Sequence, residues 1–207
     1  HQAHILNVGG HTLGHIAYHL PATAHAFVGD SLFALGCGRV FEGTMAQMWG
    51  SLQKLAALPR ATQVFCAHEY TAANAAFAAT IDPDNPNLQQ RIAEITALRA
   101  QNQPTVPTDI GVELDTNPFL RPANASIRQH LNMVDASDAD VFAEIRARKD
   151  SFECRYRQPP LWRNASLMLP LTMCARTCPY SRMQMAIALP ISMTAATVFN
   201  GYVCRSV

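Results

Sequence analysis

The sequence predicts an α+β fold, with strands through the first 70 residues, helices from 71 to 152, and a change of character after that. Three observations carry the prediction. Short apolar runs broken by Gly and Pro crowd the N-terminal third. Apolar residues recur at helical spacing through the middle of the chain. The charge balance then breaks: residues 1–152 hold ten Lys and Arg against fourteen Asp and Glu, whereas residues 153–207 hold six Arg against Glu153 alone. Three parts follow: a strand-rich domain over 1–70, an α-helical domain over 71–152, and an unrelated, disordered tail over 153–207.

Each element has its own signal. Ala3–Val8 is a short apolar strand. "HIAYHL" (His15–Leu20) and "HAFVGD" (His25–Asp30) flank the turn "PATA" and read as a hairpin. Thr44 is an N-cap for "MAQMWGSLQKLAALP", a helix that Pro59 stops. Val64–Ala67 is an apolar strand running into His68, and an Ala-rich helix spans Thr71–Thr80. "DPDNP" is a loop, with Asp and Asn before Pro. "NLQQRIAEITALRAQ" repeats apolar residues at Leu88, Ile92, Ile95 and Leu98 and is an amphipathic helix. "PTVPTDIGVELDTNPFLRP" is expected to be extended, and a last helix spans Asp138–Asp150 with Val141, Phe142 and Ile145 facing inward. A sheet of few strands needs a second layer to bury its faces, and the helical half covers only part of it.

Composition excludes several classes of function. With 207 residues, 49% hydrophobic content, 15% charge and a net charge of +1, the chain is globular and shows no nucleic-acid-binding balance. No basic segment followed by an apolar core opens it, so the expected location is the cytoplasm. Met183–Cys204 carries no charge and is long enough to span a bilayer, but Pro190 and several polar residues argue against a membrane helix. The tail also holds four of the six cysteines and five of the eight methionines, and is read as an out-of-frame or read-through extension.

Three ligand-type side chains stand where a strand meets a loop: His11, Asp30 and His68. Imidazole and carboxylate donors together suit zinc, iron or manganese. By themselves three scattered residues make no motif, and an Asp after a strand is more often a turn former.

The surrounding words are more specific. "GHTLGH", "FVGDSLF", "GCGRVFEGT", "AHEYT", "NPFLR" and "RARKDSF" occur in that order. Together they resemble the downstream two-thirds of the glyoxalase II, or hydroxyacylglutathione hydrolase, family of the metallo-β-lactamase superfamily, over about residues 4–152. The resemblance implies the C-terminal half of an αββα metallo-β-lactamase fold followed by a helical glutathione-binding domain. It implies two divalent cations, zinc by preference with iron or manganese as alternatives. His11 would hold one, His68 the other, and Asp30 would bridge them; these three are the expected catalytic residues. His15 would support the site by hydrogen bonding, while His19, His25 and His130 carry no motif.

For the substrate, the resemblance implies a grip on glutathione by Arg39, Phe41, Tyr70, Arg146 and Lys149. Phe41 stands where the family commonly has Tyr and lacks its hydroxyl. Arg146 and Lys149, three apart on a helix, share one face and could jointly meet a carboxylate. The implied reaction is metal-assisted attack of water on the thioester of an S-(2-hydroxyacyl)glutathione such as S-D-lactoylglutathione, giving glutathione and D-lactate, the second step of methylglyoxal detoxification. Cys37 and Cys66 are expected to be packing residues. The expected partner is the small-molecule thioester, with no nucleic acid or membrane, and the chain is expected to be a monomer.

Two departures matter. "VGGHT" replaces the family's T-P-G-H-T, and no T-H-x-H-x-D-H string occurs in the chain. Three donors of seven remain, so the chain is expected to be an inactive fragment that binds metal weakly. The alternatives are a non-catalytic glutathione-binding fragment or another hydrolase of the superfamily.

Overall fold

The computed structural model describes residues 2–152 of the chain. The tail expected over 153–207, with its cysteines and its uncharged run, lies outside the described residues.

Five strands form the main sheet in the order β1 (His4–Asn7), β2 (Ile16–Leu20), β3 (His25–Gly29), β6 (Gln63–Cys66) and β7 (Thr108–Asp109). A separate two-stranded hairpin pairs β4 (Leu32–Phe33) with β5 (Gly36–Cys37). The first three strands run antiparallel as a meander, β6 lies parallel to β3, and β7 closes the edge antiparallel to β6. Parallel pairing needs a crossover, and residues 30–62 supply one through the β4–β5 hairpin and α1 (Met45–Ala56).

Side chains alternate across the pleat. Ala17, Ala26, Val28 and Val64 face the core, whereas Ile5, Tyr18 and Phe27 stand on the exposed face, with Phe27 stacked on Phe65. Register joins Ile5 to Tyr18, Tyr18 to Phe27, and Phe27 to Phe65, so the exposed residues make one transverse apolar row.

The core lies under the other face. Met48, Leu52 and Leu55 of α1 pack with Val141, Phe142 and Ile145 of α6 (Asp138–Ser151), and Trp49 stacks on Phe142. A smaller cluster gathers Leu35, Ala75, Ala78, Leu88 and Ile95 between α2 (Thr71–Ile81) and α3 (Pro86–Ala100). Thr44 caps α1 by accepting the Gln47 N–H, and Asn85 caps α3 with Pro86 at its first turn, the position where a missing N–H costs nothing.

The stretch expected to be extended contains β7, α4 (Ile110–Thr116) and a 3₁₀ turn at Pro118–Leu120, followed by α5 (Ala125–Leu131). Helices of seven residues show less than two full turns of period, so the periodicity is too short to see. α4 is held instead by tertiary bonds from its buried Glu113. α5 did carry readable signals: Asn124 accepts the Ile127 N–H, and Asn132 ends the helix in the left-handed conformation.

Candidate metal centre

The loop between β1 and β2 carries His11. Gly10 sits at φ 146°, and a Cβ there would lie 2.7 Å from the Met48 sulfur, so only glycine lets the loop pass this close to α1. The His11 ring is then fixed from one side: Nδ1 lies 2.8 Å from the Arg39 carbonyl oxygen. A carbonyl only accepts, so Nδ1 carries the proton and, in the neutral ring, Nε2 keeps its lone pair.

Asp30 follows β3. Gly29 precedes it at φ 55°, where a Cβ would come 2.6 Å from His15 Nε2. That nitrogen accepts the Asp30 main-chain N–H at 3.1 Å. His15 thus holds the Asp30 backbone. His68 follows β6, half exposed and stacked on Tyr70 at 5.0 Å.

The three side chains meet. Asp30 Oδ1 stands 3.3 Å from His68 Nε2, and its Oδ2 stands 3.9 Å from His11 Nε2. Each carboxylate oxygen therefore faces a different imidazole. Two donors bound at zinc distances to one tetrahedral centre lie about 3.4 Å apart, so the 3.3 Å gap between Asp30 and His68 suits a shared cation, and the 3.9 Å gap between Asp30 and His11 is wider than that spacing. Among the described residues, no group of three or more His, Cys, Asp and Glu side chains could by itself hold one ion. The arrangement offers two two-donor gaps joined through Asp30.

Of the other residues singled out in the sequence, Phe41 and Tyr70 touch this centre through the rings of His11 and His68. Phe41 is exposed and meets the His11 ring edge-on at 5.1 Å. Tyr70 lies edge-on to Phe33 at 5.3 Å. Arg39, half exposed, donates from Nε to Asp150 Oδ1 at 3.0 Å. Arg146 is turned inward and buried; it donates to the Cys37 carbonyl at 3.0 Å and to Asp150 Oδ1 at 2.9 Å, over the Phe119 ring. Lys149 donates to the Ala73 carbonyl at 3.2 Å and lies over Phe77 and Phe152. The structure joins Arg39 and Arg146 on one carboxylate and sets Lys149 against α2.

Burial pushes the Cys37 thiol up to about 11, outweighing the pull of nearby Arg146, and raises Cys66 as well. Neither cysteine has the thiolate character of a nucleophile.

Two contributors went unnoticed in the sequence although both lie inside the motif strings. Asp150 of "RARKDSF" joins the two arginines. Glu42 of "GCGRVFEGT" accepts the Leu13 N–H at 2.9 Å and so steadies the loop that bears His11.

Residues 69–152 match the family model described as "Hydroxyacylglutathione hydrolase C-terminus". A curated relative named "Hydroxyacylglutathione hydrolase" from Roseobacter denitrificans (strain ATCC 33942 / OCh 114) is 61% identical over 152 residues, which are 73% of this chain and 60% of that protein. One of the same name from Maricaulis maris (strain MCS10) is 58% identical over 152 residues, 73% of this chain and 59% of that protein. The chain thus spans about three-fifths of the length of these curated relatives. Among solved structures, a B3 metallo-beta-lactamase, BLEG-1, is similar over 57% of this chain and 41% of its own, at 24% identity and a TM-score of 0.39, too slight a likeness to carry weight. From the match over residues 69–152 and the identity to these relatives, the chain is similar to the hydroxyacylglutathione hydrolase family over about 150 of its residues.

Proposed function

We propose that this chain serves a metal-dependent thioester hydrolase acting on S-(2-hydroxyacyl)glutathione, S-D-lactoylglutathione in particular. The observation that carries the proposal is Asp30, which presents one oxygen to His11 and the other to His68. The relatives' shared name supports the substrate class.

His11, Asp30 and His68 would hold two divalent cations, zinc by preference, with iron or manganese as alternatives. Such a pair, when bound, supplies Lewis-acid activation of water and of the thioester carbonyl. The residues present do the positioning. The Arg39 carbonyl sets the His11 ring, His15 sets the Asp30 main chain, and Tyr70 backs the His68 ring. Arg39, Phe41 and Tyr70 would flank the glutathione moiety, with Lys149 at the basic end of α6 and the buried Arg146 contributing its charge through Asp150. In the net reaction water adds to the acyl carbon, the C–S bond breaks, and the sulfur leaves with the glutathione while the oxygen stays on the 2-hydroxy acid.

The fold in this proposal is the downstream half of an αββα metallo-β-lactamase domain over 1–70 and a helical glutathione-binding domain over 71–152. A monomer in the cytoplasm suits the substrate. Both described cysteines are free thiols, in keeping with a reducing compartment. Among the described residues no helix is long and apolar enough to cross a membrane.

The 207 residues contain no T-H-x-H-x-D-H string, which leaves three donors for two cations. Metal analysis and a thiol-release assay with S-D-lactoylglutathione test the proposal on this chain. Weak metal retention with negligible turnover is expected, together with glutathione-dependent NMR shifts at Arg39, Phe41 and Tyr70. Two tightly held cations with rapid turnover would contradict the three-donor account. Absence of any glutathione shift would remove the substrate.

A further inference from the structure

We propose that Asp150 is a positioning residue: held by Arg146, it fixes the Arg39 side chain for an anionic group of the substrate and steadies the main-chain segment that seats His11. The proposal rests on the glutathione reading of the site.

Asp150 lies in the last turn of α6, where a carboxylate faces the negative end of the helix dipole. Its place there is offset by two guanidinium groups on one oxygen, Arg39 Nε at 3.0 Å and Arg146 Nη2 at 2.9 Å.

The two arginines differ in what they have left to offer. Arg146 is buried, with Nη1 on the Cys37 carbonyl, Nη2 on Asp150 and its carbon over the Phe119 ring. It has no route to an incoming ligand, so its charge acts through Asp150. Arg39 is half exposed and spends only Nε on Asp150, and among the described residues its two Nη groups have no partner. With Nε taken, the Nη pair is the edge that can fork onto a carboxylate.

Arg39 also works at its main chain. Its carbonyl accepts from His11 Nδ1, and two residues earlier the Cys37 carbonyl accepts from Arg146. The segment from Cys37 to Arg39 is thus tied to α6 at both ends and to the candidate metal ligand at one. A single carboxylate on α6 links the anion-binding side chain to the same short segment that orients His11.

The test uses the full 207-residue chain with glutathione as the probe, its dissociation constant read by NMR titration for the wild type, Arg39→Ala, Asp150→Asn and the double variant. Thermal unfolding is recorded in parallel. Asp150→Asn is expected to weaken glutathione binding by about tenfold, the cost of re-ordering one long side chain. Arg39→Ala should weaken it at least as much, with the double variant no weaker than Arg39→Ala. Asp150→Glu should restore part of the affinity. A purely structural Asp150 predicts a lower melting temperature with the dissociation constant unchanged, and that result overturns the proposal. Losses that multiply in the double variant overturn it too. Binding insensitive to Arg39→Ala overturns the substrate reading at Arg39 instead, and no binding to the wild type overturns both. Should Asp150→Asn not fold, hydrogen exchange at Arg39 Nε–H in the wild type decides: slow exchange supports the clamp, and rapid exchange overturns it.

Discussion

Glu113 Oε2 accepts the main-chain N–H of Leu35 at 2.8 Å, which ties α4 to the tip of the β4–β5 hairpin. Leu35 holds φ 57°, a conformation that a branched side chain adopts only under compensation. The same carboxylate accepts from Thr108 Oγ1 at 2.7 Å and from Asn117 Nδ2 at 2.8 Å, and Asn117 also donates to the Phe33 and Gly36 carbonyls. The hairpin leads from Asp30 to Arg39, so the knot stands behind both.

Glu113→Ala strands the buried Leu35 N–H and Thr108 hydroxyl and takes one acceptor from Asn117, and is expected to destabilise the fold by about 3 kcal/mol in denaturant melts. Glu113→Gln should be tolerated, because its oxygen can serve Leu35 and Asn117 while its amide faces a hydroxyl that rotates to accept.

The pH dependence of that pair of proteins is a separate check. Burial raises the Glu113 carboxyl above its ordinary value, so the folded chain keeps the proton to higher pH than the unfolded chain does. The stabilisation this brings is complete below the unfolded value of about 4.3 and is lost as pH rises through the raised folded value. Glu113→Gln should therefore flatten the fall in stability as pH rises above about 4.3. An unchanged slope would show that Glu113 titrates normally.

His15→Ala removes the acceptor for the Asp30 N–H while leaving the three candidate donors in place. Zinc affinity is expected to fall about 10- to 100-fold, the usual range for a residue that orients a ligand. Equal affinity in the variant and the wild type, by competition with a chromophoric chelator, would remove His15 from the site.

The sheet's two faces should respond in opposite ways. Leu52→Ala on the core side opens a cavity beneath the strands and is expected to cost about 3 kcal/mol. Ile5→Thr on the exposed row should stay within about 0.5 kcal/mol. Similar losses from both would mean that the row is covered in solution.

Much of this was legible in the sequence because the signals were local. Thr44 and Pro59 bracket α1, and Leu88, Ile92 and Ile95 trace α3. The candidate ligands were legible as words, "GHTLGH", "GDSLF" and "AHEYT", rather than as a spacing. His11 and His15 lie four apart, but on a glycine-lined loop and not on a helix: one faces the Asp30 carboxylate and the other the Asp30 main chain. What the sequence hid is non-local. Glu113 reaches Leu35 across 78 positions and Asp150 reaches Arg39 across 111, and no pattern within a window of residues encodes such pairs. The resemblance implied Arg146 as a substrate cation; its burial goes with the bond to the Cys37 carbonyl, which only the fold brings near.

The central claim is that His11, Asp30 and His68 are the metal donors of this chain. Side-chain ¹⁵N NMR of the histidines during zinc addition tests it most directly. The Nε2 signals of His11 and His68 should move together, His25 and His130 should stay in place, and Asp30→Ala should abolish the response. Zinc that leaves His11 and His68 unmoved, or that moves them equally in Asp30→Ala, would contradict the account.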